Sequence, residues 1–238
     1  MSAIFVGGSK GGVGKSLVSC LVLHSLIRDG QKPILIETDD SNPDVLKTYQ
    51  RKLQAMEEDE EKKEDNPFFC NMDTERGWQA VFKKIYDLRE KNVDRPVVIN
   101  TGARNILSIE KFGALFDGVG DIITLWVIDN GRESLNLLDD YLKICHQKIT
   151  VVKNGFFSEE KYFDYFEKSI FNNEEKKIPN VYIEKATLGI ISALQKRIPF
   201  DEMDSSLHVV DRILASDWIK KASNSIQKAI NIASIYES

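Results

Sequence analysis

The 238-residue sequence has few cysteines and no long apolar run. Its three cysteines are widely spaced and form no C-x-x-C pair, which argues against both a disulfide framework and a cysteine zinc site. No stretch approaches the roughly 18 apolar residues of a membrane span. The N-terminus also lacks the basic region and apolar run that are typical of a signal peptide. We therefore expect a soluble, cytoplasmic protein without a membrane span.

Neither acidic nor basic residues dominate the sequence. The 37 acidic and 32 basic residues give a net charge of -5. This balance argues against a surface that binds nucleic acid throughout, and leaves a local basic patch open. The densest charge run is Glu57 to Asp65, and we interpret the region 56–66 as a solvated acidic loop or helix end, with an acidic docking segment as the alternative. The length suits one domain, residues 1–238.

Short apolar runs separated by helical patterns predict an α/β fold. The first unit is strand, glycine-rich loop, helix and strand, which favours a parallel sheet with a right-handed crossover. We predict a single-domain, mostly parallel twisted sheet with helices on both faces, of the P-loop NTPase type. The predicted strands are 3–6, 33–36, 97–99, 122–128, 149–152 and 181–183, and the predicted helices are 15–29, 77–91, 132–146, 158–171, 185–196 and 215–236.

The glycine-rich loop, Ser9 to Ser16, reads S-K-G-G-V-G-K-S and lies between the first strand and the first helix. Its glycines let backbone N–H groups converge on a phosphate chain, and the helix directs its positive end to the same place. A glycine-rich turn that binds nothing would not explain this context. We expect Lys15 to reach the β- and γ-phosphates and Ser16 to ligate Mg²⁺. The predicted nucleotide-binding residues here are Gly11, Gly12, Val13, Gly14, Lys15, Ser16 and Leu17.

Lys10 gives the loop a second lysine. The run K-G-G-V-G-K-S resembles the deviant Walker A motif of the ParA/MinD family of P-loop ATPases, although Ser9 stands where the usual pattern begins with glycine. In that family the early lysine reaches across a dimer interface to the partner's nucleotide. The resemblance implies that ATP clamps two copies of this chain together and that Lys10 acts in trans on the transferring phosphoryl group. A solvated lysine at the loop edge is the alternative.

The segment after the second strand carries several acidic residues. It resembles the family's D-x-D segment, with Glu37 at the first position and Asp39 at the second. A carboxylate here can orient the attacking water and help to organise the Mg²⁺ shell. The resemblance therefore makes Asp39 the expected catalytic and metal-binding residue, with Asp40 and Asp44 near enough to compete. The run D-D-S-N-P also fits a plain turn.

Asn100 directly follows the third predicted strand, in a segment that resembles the family's Walker B region, where an aspartate holds a water on Mg²⁺. Asparagine can accept a hydrogen bond from a metal-bound water, but it lacks the charge that strengthens that bond. The predicted metal site is therefore Ser16, Asp39 and Asn100. Nucleotide binding is expected, and the rate of hydrolysis is left open.

Two later segments resemble the family's contacts with the base. Asn154 follows an apolar strand, where an asparagine of the family hydrogen-bonds adenine. Pro199 belongs to a segment that resembles the proline-bearing loop packed against the base. Each pattern also fits an ordinary turn.

The resemblance implies an ATP-binding protein, with Mg²⁺, that dimerises on ATP and acts in plasmid partition, plasmid stability or conjugative DNA transfer. A partner protein and non-specific DNA are the expected further partners. One alternative is a nucleotide-dependent regulatory module with little or no hydrolysis, which Asn100 favours. A ligase-type metabolic enzyme of the same fold is another, and Lys10 argues against it. We interpret the apolar face of the last helix as core packing and not as a membrane anchor.

Overall fold

The computed structural model describes residues 2–8, 11–58, 66–102, 112, 114–145, 148–156, 158–173 and 177–235. Seven strands in these ranges form one sheet in the order β3-β2-β4-β1-β5-β6-β7, and every strand pair is parallel. The predicted parallel sheet is confirmed. The glycine-rich loop follows β1, the central strand of the seven. The strands are β1 Ala3–Gly8, β2 Ile34–Glu37, β3 Phe68–Phe69, β4 Val97–Asn100, β5 Ile122–Ile128, β6 Lys148–Asn154 and β7 Asn180–Ile183.

Helices cover both faces of the sheet, because its central strands are apolar on both sides. Side chains of α1, α2, α7 and α8 pack on one face, and those of α3, α4 and α5 pack on the other. The helices are α1 Lys15–Arg28, α2 Asp44–Ala55, α3 Glu75–Glu90, α4 Ala114–Gly118, α5 Arg132–Ile144, α6 Asp164–Glu167, α7 Leu188–Gln195 and α8 Val209–Ile235. Short 3₁₀ turns span Glu160–Tyr162, Ile170–Asn172 and Phe200–Ser205.

The predicted helix 158–171 is wrong as a continuous element. The chain instead forms a 3₁₀ turn, the four-residue α6 and a second 3₁₀ turn. The buried ammonium group of Lys153, near the end of β6, pairs with Glu160 at 3.2 Å and with Glu167 at 3.0 Å. These ion pairs and the buried side chains of Phe163, Phe166 and Phe171 attach the segment to the core. Helical spacing in the sequence does not reveal these tertiary contacts.

Two helices and one strand have no counterpart in the sequence prediction: α2, the five-residue α4 and β3. The helix α2 buries Val45, Tyr49 and Leu53 at intervals of four residues, which is a helical pattern. The strand β3 has only two residues, too few for a periodic signal.

The last helix packs its small and aromatic residues into the core, as predicted. Ala215, Trp218, Ala222 and Ile226 are all buried. Among the described helices none is both long enough and apolar enough to cross a membrane.

The acidic region 56–66 falls largely outside the described residues, since 59–65 are not among them. Glu57, at its start, is buried, whereas we expected it to be solvated. The Arg95 guanidinium accounts for this difference, because it donates two hydrogen bonds to the Glu57 carboxylate.

Candidate nucleotide-binding site

The phosphate loop joins the end of β1 to the start of α1. Gly12 and Gly14 have φ angles of +82° and +102°, which strain any residue with a side chain. A Cβ on Gly14 would also lie 2.2 Å from the amide nitrogen of Asn154. Gly14, the N-cap of α1, makes no side-chain cap hydrogen bond, and an α-helix N-terminus of this kind is suited to bind an anion. Ser9 and Lys10 lie outside the described residues.

A cavity of about 340 Å³ opens above this loop. It lies at the carboxyl edge of the sheet, where the segments that follow β1, β2 and β4 meet, the usual ligand position in such folds. The structure therefore brings Lys15, Ser16 and Asp39 together at one cavity, as the sequence led us to expect. The described residues that line it are Gly11, Gly12, Gly14, Lys15, Ser16, Thr38, Asp39, Asp40, Ser41, Asn42, Asp44, Asp73 and Gly102.

Among the described residues that line the cavity, Lys15 carries the positive charge. Its side chain is largely buried, and this burial lowers the pKa of the ammonium group to about 8, against the opposing effect of the Asp39 charge. Desolvation disfavours the charged form, and an anion bound beside the lysine would favour it. The environment of Lys15 thus fits a polyphosphate ligand.

The three candidate carboxylates after β2 differ in their contacts. Asp40 accepts a hydrogen bond from the Asn71 amide at 2.7 Å, and Asp44 pairs with Arg197 at 3.3 Å. Asp39 accepts hydrogen bonds from the backbone N–H groups of Ser41 and Asn42 through one oxygen, Oδ1. Its charge also acts on Lys15. These contacts favour Asp39 for the expected role, which stays a prediction.

The donor set fits Mg²⁺ that arrives with a nucleotide. In the described part of the chain, no group of three or more His, Cys, Asp or Glu side chains is placed to hold a metal ion. Protein-bound Mg²⁺ usually keeps several waters and binds one or two carboxylates together with substrate phosphates. Ser16 and Asp39 supply a hydroxyl and a carboxylate at the cavity.

Asn100, the predicted third metal residue, is buried at the end of β4. Its Oδ1 accepts a hydrogen bond from the Ser19 hydroxyl at 2.8 Å. Its Nδ2 donates to Oε1 of Glu37 at 2.7 Å. Both ends of the amide are therefore engaged by neighbouring side chains, and a contact of Asn100 with a metal-bound water stays a prediction.

Glu37 is a residue whose importance the sequence prediction missed. Its Oε1 accepts hydrogen bonds from the N–H groups of Thr38 and Asp39, each at 3.1 Å, and its Oε2 accepts one from Leu46 at 3.2 Å. Burial raises the pKa of Glu37 to about 7, although the hydrogen bonds from Asn100 and the backbone act in the opposite direction. The signal in the sequence was a glutamate that directly follows an apolar strand run, I-L-I-E.

The residues predicted to contact adenine support the fold around the loop. Nδ2 of Asn154 donates to the Val13 carbonyl at 2.8 Å, and its Oδ1 accepts from the N–H of Phe156 at 3.1 Å. Pro199 is buried and directly precedes Phe200, a residue of the core. Adenine contacts of Asn154 and Pro199 stay predictions.

The side chains of Val13 and Leu17 belong to the apolar core. Only their backbone groups are therefore suited to the predicted contact with a nucleotide.

No protein-family model matches the chain. Solved structures with a similar fold include McdA from Cyanothece, which matches 97% of this chain and 99% of its own with a TM-score of 0.60 and 13% identity. A plasmid partition protein from Borrelia burgdorferi bound to AMPPNP matches 97% and 98%, with a TM-score of 0.57 and 14% identity. MinD from Pyrococcus horikoshii complexed with Mg-ADP matches 99% and 100%, with a TM-score of 0.57 and 12% identity.

A sequence relative is much nearer. Protein MobD from Acidithiobacillus ferrooxidans is 36% identical over 171 residues, which cover 69% of this chain and 68% of MobD. The chain therefore belongs to the same family as protein MobD, and its fold is that of the MinD/ParA-type P-loop ATPases.

Proposed function

We propose that the chain binds ATP with Mg²⁺ in the 340 Å³ cavity and dimerises on binding. The observation that carries the proposal is the desolvated Lys15 beside Asp39, above a loop whose glycines adopt left-handed φ angles. Mg-ADP and AMPPNP, named for two proteins of similar fold, agree with this ligand class.

In this proposal the loop backbone, Lys15, Ser16 and Asp39 have different roles. Backbone N–H groups of the loop and the first turn of α1 bind the phosphates, and Lys15 neutralises part of their charge. The Ser16 hydroxyl and the Asp39 carboxylate hold the Mg²⁺ shell, and Asp39 also orients the attacking water. Mg²⁺ neutralises charge that develops on the phosphoryl oxygens.

Dimerisation rests on Lys10 and on the loop that resembles the deviant Walker A motif. Lys10 of each copy reaches the nucleotide of the other, so that two bound ATP molecules join the subunits. The cellular process we propose is plasmid partition, plasmid stability or conjugative DNA transfer, through a partner protein and with non-specific DNA as a further ligand. The membership in the MobD family and the fold shared with a plasmid partition protein support this direction.

ATP titration by calorimetry, followed by light scattering of the same samples, tests binding and dimerisation. Lys15→Ala should weaken ATP binding by about 10- to 100-fold, because it removes a charged hydrogen-bond donor from a desolvated site. Lys10→Ala should keep the affinity for ATP and lose the ATP-dependent dimer. Lys83→Ala, on the exposed side of α3, is the matched control. An unchanged affinity for ATP in Lys15→Ala would overturn the site, and a normal ATP-dependent dimer in Lys10→Ala would overturn the dimer mechanism.

A second candidate is a nucleotide-dependent regulatory module with little hydrolysis. Asn100, which stands where the family places a charged residue, favours it. Phosphate release at saturating ATP, with and without plasmid DNA, separates the two candidates. Sustained release supports the ATPase, whereas ATP-dependent dimerisation without release supports the module.

A further inference from the structure

A second cavity, of about 570 Å³, lies between α3 and the amino half of β2. Space is left there because β3 pairs only with Ile36 and Glu37, in the carboxyl half of β2. Beside the amino half, the Asn66 side chain accepts a hydrogen bond from the N–H of Leu35 at 3.1 Å, where a longer strand would continue the sheet. We call this space the α3 cavity, and its apolar lining residues are Ile34, Phe68, Ala80, Leu88 and Val93.

The walls of the α3 cavity continue the apolar core. Ile34 is a core residue, and Phe68 and Leu88 pack against the same core cluster. Ala80, Lys84 and Leu88 follow one another at intervals of four residues along α3, so they lie on one side of the helix. The small side chain of Ala80 leaves room between this helix and the sheet. Small-molecule sites in proteins are typically cavities of about 300–1,000 Å³ with mostly apolar walls and a few polar groups, and the α3 cavity matches this description.

Positive side chains outnumber negative ones around the α3 cavity. The charged residues that line it in the described structure are Lys83, Lys84, Lys91 and Arg95 against Glu57 and Asp87. Four positive charges minus two negative charges leave an excess of two. Both carboxylates form ion pairs, with Lys83 and with Arg95. The excess therefore comes from Lys84 and Lys91, and it stands against the net charge of -5 of the whole chain.

The two cavities differ in charge and therefore in the anions that suit them. In the nucleotide cavity the described lining places Lys15 among four aspartates, Asp39, Asp40, Asp44 and Asp73, which suits a phosphate chain that arrives with Mg²⁺. The α3 cavity combines a positive excess with apolar walls. This combination suits an anion that needs no metal ion and has an apolar body of its own.

We propose that the α3 cavity is a second ligand site, which binds an organic anion with an apolar body, such as an acyl or aromatic carboxylate. The apolar body lies against Ile34, Phe68 and Leu88, and the anionic group is bound by Lys84 and Lys91. The Lys84 ammonium group lies 5.5 Å from the centre of the Phe68 ring, at the border between the charged and the apolar lining. The site is separate from the nucleotide cavity, because the two lie at opposite ends of β2.

Fluorescence titration with anilinonaphthalene sulfonate, an aromatic anion, tests the site in the full chain without nucleotide. Decanoate, decanol and decylamine, which share one chain length, then compete with the dye. Decanoate should displace it at about tenfold lower concentration than decanol, because a tenfold difference is a reasonable gain from two lysines near the surface. Decylamine should be the weakest competitor. Naphthoate, compared with decanoate, distinguishes an aromatic from an acyl ligand, and Mg-ATP should not displace the dye.

Two kinds of variant locate the site. Lys84→Gln/Lys91→Gln should weaken decanoate binding about tenfold and leave decanol binding nearly unchanged, because it removes charge and keeps the apolar walls. Ala80→Leu should abolish the binding of both, because the larger side chain fills the cavity. Lys221→Ala, at an exposed position on α8, is the control and should bind both as the wild type does. Urea midpoints measured for each variant verify that it is folded.

Equal displacement by decanoate, decanol and decylamine would overturn the proposal, as would an unchanged decanoate affinity in folded Ala80→Leu. The acidic run near the cavity is the competing occupant, since Glu57 and Asn66 both line the cavity and residues 59–65 connect them in the sequence. Binding that appears only in Glu60→Gln/Glu61→Gln/Glu64→Gln would assign the cavity to that run and overturn the ligand site. None of these results depends on ATP binding, so a failure of the proposed function would be recognised separately.

Discussion

Two buried glutamates lie near opposite ends of β2, and their partners differ. Glu37, at the carboxyl end, accepts hydrogen bonds from an asparagine amide and from backbone N–H groups. Glu57, near the amino end, accepts two hydrogen bonds from the Arg95 guanidinium, at 2.5 and 2.9 Å. It also accepts one from Asn66, whose own Oδ1 accepts from the N–H of Leu35 in β2.

The pKa values of the two side chains move in opposite directions. Burial raises the pKa of Glu37 to about 7, because its neutral partners do not compensate the desolvation. Burial acts to raise the pKa of Glu57 as well, but the hydrogen bonds and charge of Arg95, together with the Asn66 amide, outweigh it and lower the pKa. A buried carboxylate with a cationic partner serves as an anchor. At the cavity edge the chain keeps a carboxylate with neutral partners, which is unfavourable for stability alone.

Removal of the Arg95 cation should cause the largest change in the free energy of unfolding. Arg95→Met leaves Glu57 buried without its charged partner and should lower the free energy of unfolding by about 2 kcal/mol, less than for a fully buried pair because Arg95 is partly exposed. Urea denaturation at pH 7 measures this loss. Arg95→Met/Glu57→Gln should recover most of it. Equal losses in the single and double variants would mean that the charge of Glu57 is not what Arg95 compensates.

The second-largest effect is expected in the pH dependence of stability, to which Glu57 contributes. Because the pKa of Glu57 is lowered on folding, its contribution is present above its ordinary pKa of 4.5 and is lost as the pH falls through the folded-state value. Wild-type protein should therefore lose more stability than Glu57→Gln between pH 6 and acid conditions, on the order of a few tenths to one kcal/mol. Urea midpoints measured across this range test the difference. Parallel acid profiles for the two proteins would contradict the anchoring role.

The smallest effect is expected for the energetic coupling between substitutions at the two ends of β2. The changes in the free energy of unfolding caused by Glu37→Gln and by Glu57→Gln should add within about 0.5 kcal/mol, because the two carboxylates share no hydrogen-bond partner in the described structure. Unfolding of the two single variants and the double variant tests this. A larger coupling would show that β2 transmits changes from one end to the other.

The site could be predicted from the sequence only where its residues are local. Lys15 and Ser16 follow a strand and begin a helix, so the phosphate loop has a recognisable pattern. Asp39 follows the next strand, and parallel strands end at one edge. The contacts of Asn100 could not be predicted in the same way, because Ser19 and Glu37 are 81 and 63 residues away along the chain.

In the fold as well, local patterns could be predicted from the sequence and long-range contacts could not. The short continuous apolar runs predicted six of the seven strands in the described structure, since strands buried on both faces are apolar throughout. The broken segment after β6 was missed, because its contacts with Lys153 and with the core are tertiary contacts that helical spacing does not reveal. The two-residue β3 was missed because its partner, β2, provides the hydrogen bonds that define it.

The sequence by itself determined the phosphate loop and the parallel order of strand and helix, because both depend on residues that are neighbours in the chain. Only the tertiary structure decided what Glu37 and Asn100 do. An asparagine in place of an aspartate reads as a lost charge in one dimension. In three dimensions its amide joins the Ser19 hydroxyl on α1 to the Glu37 carboxylate at the end of β2, through hydrogen bonds between segments that are distant in the chain.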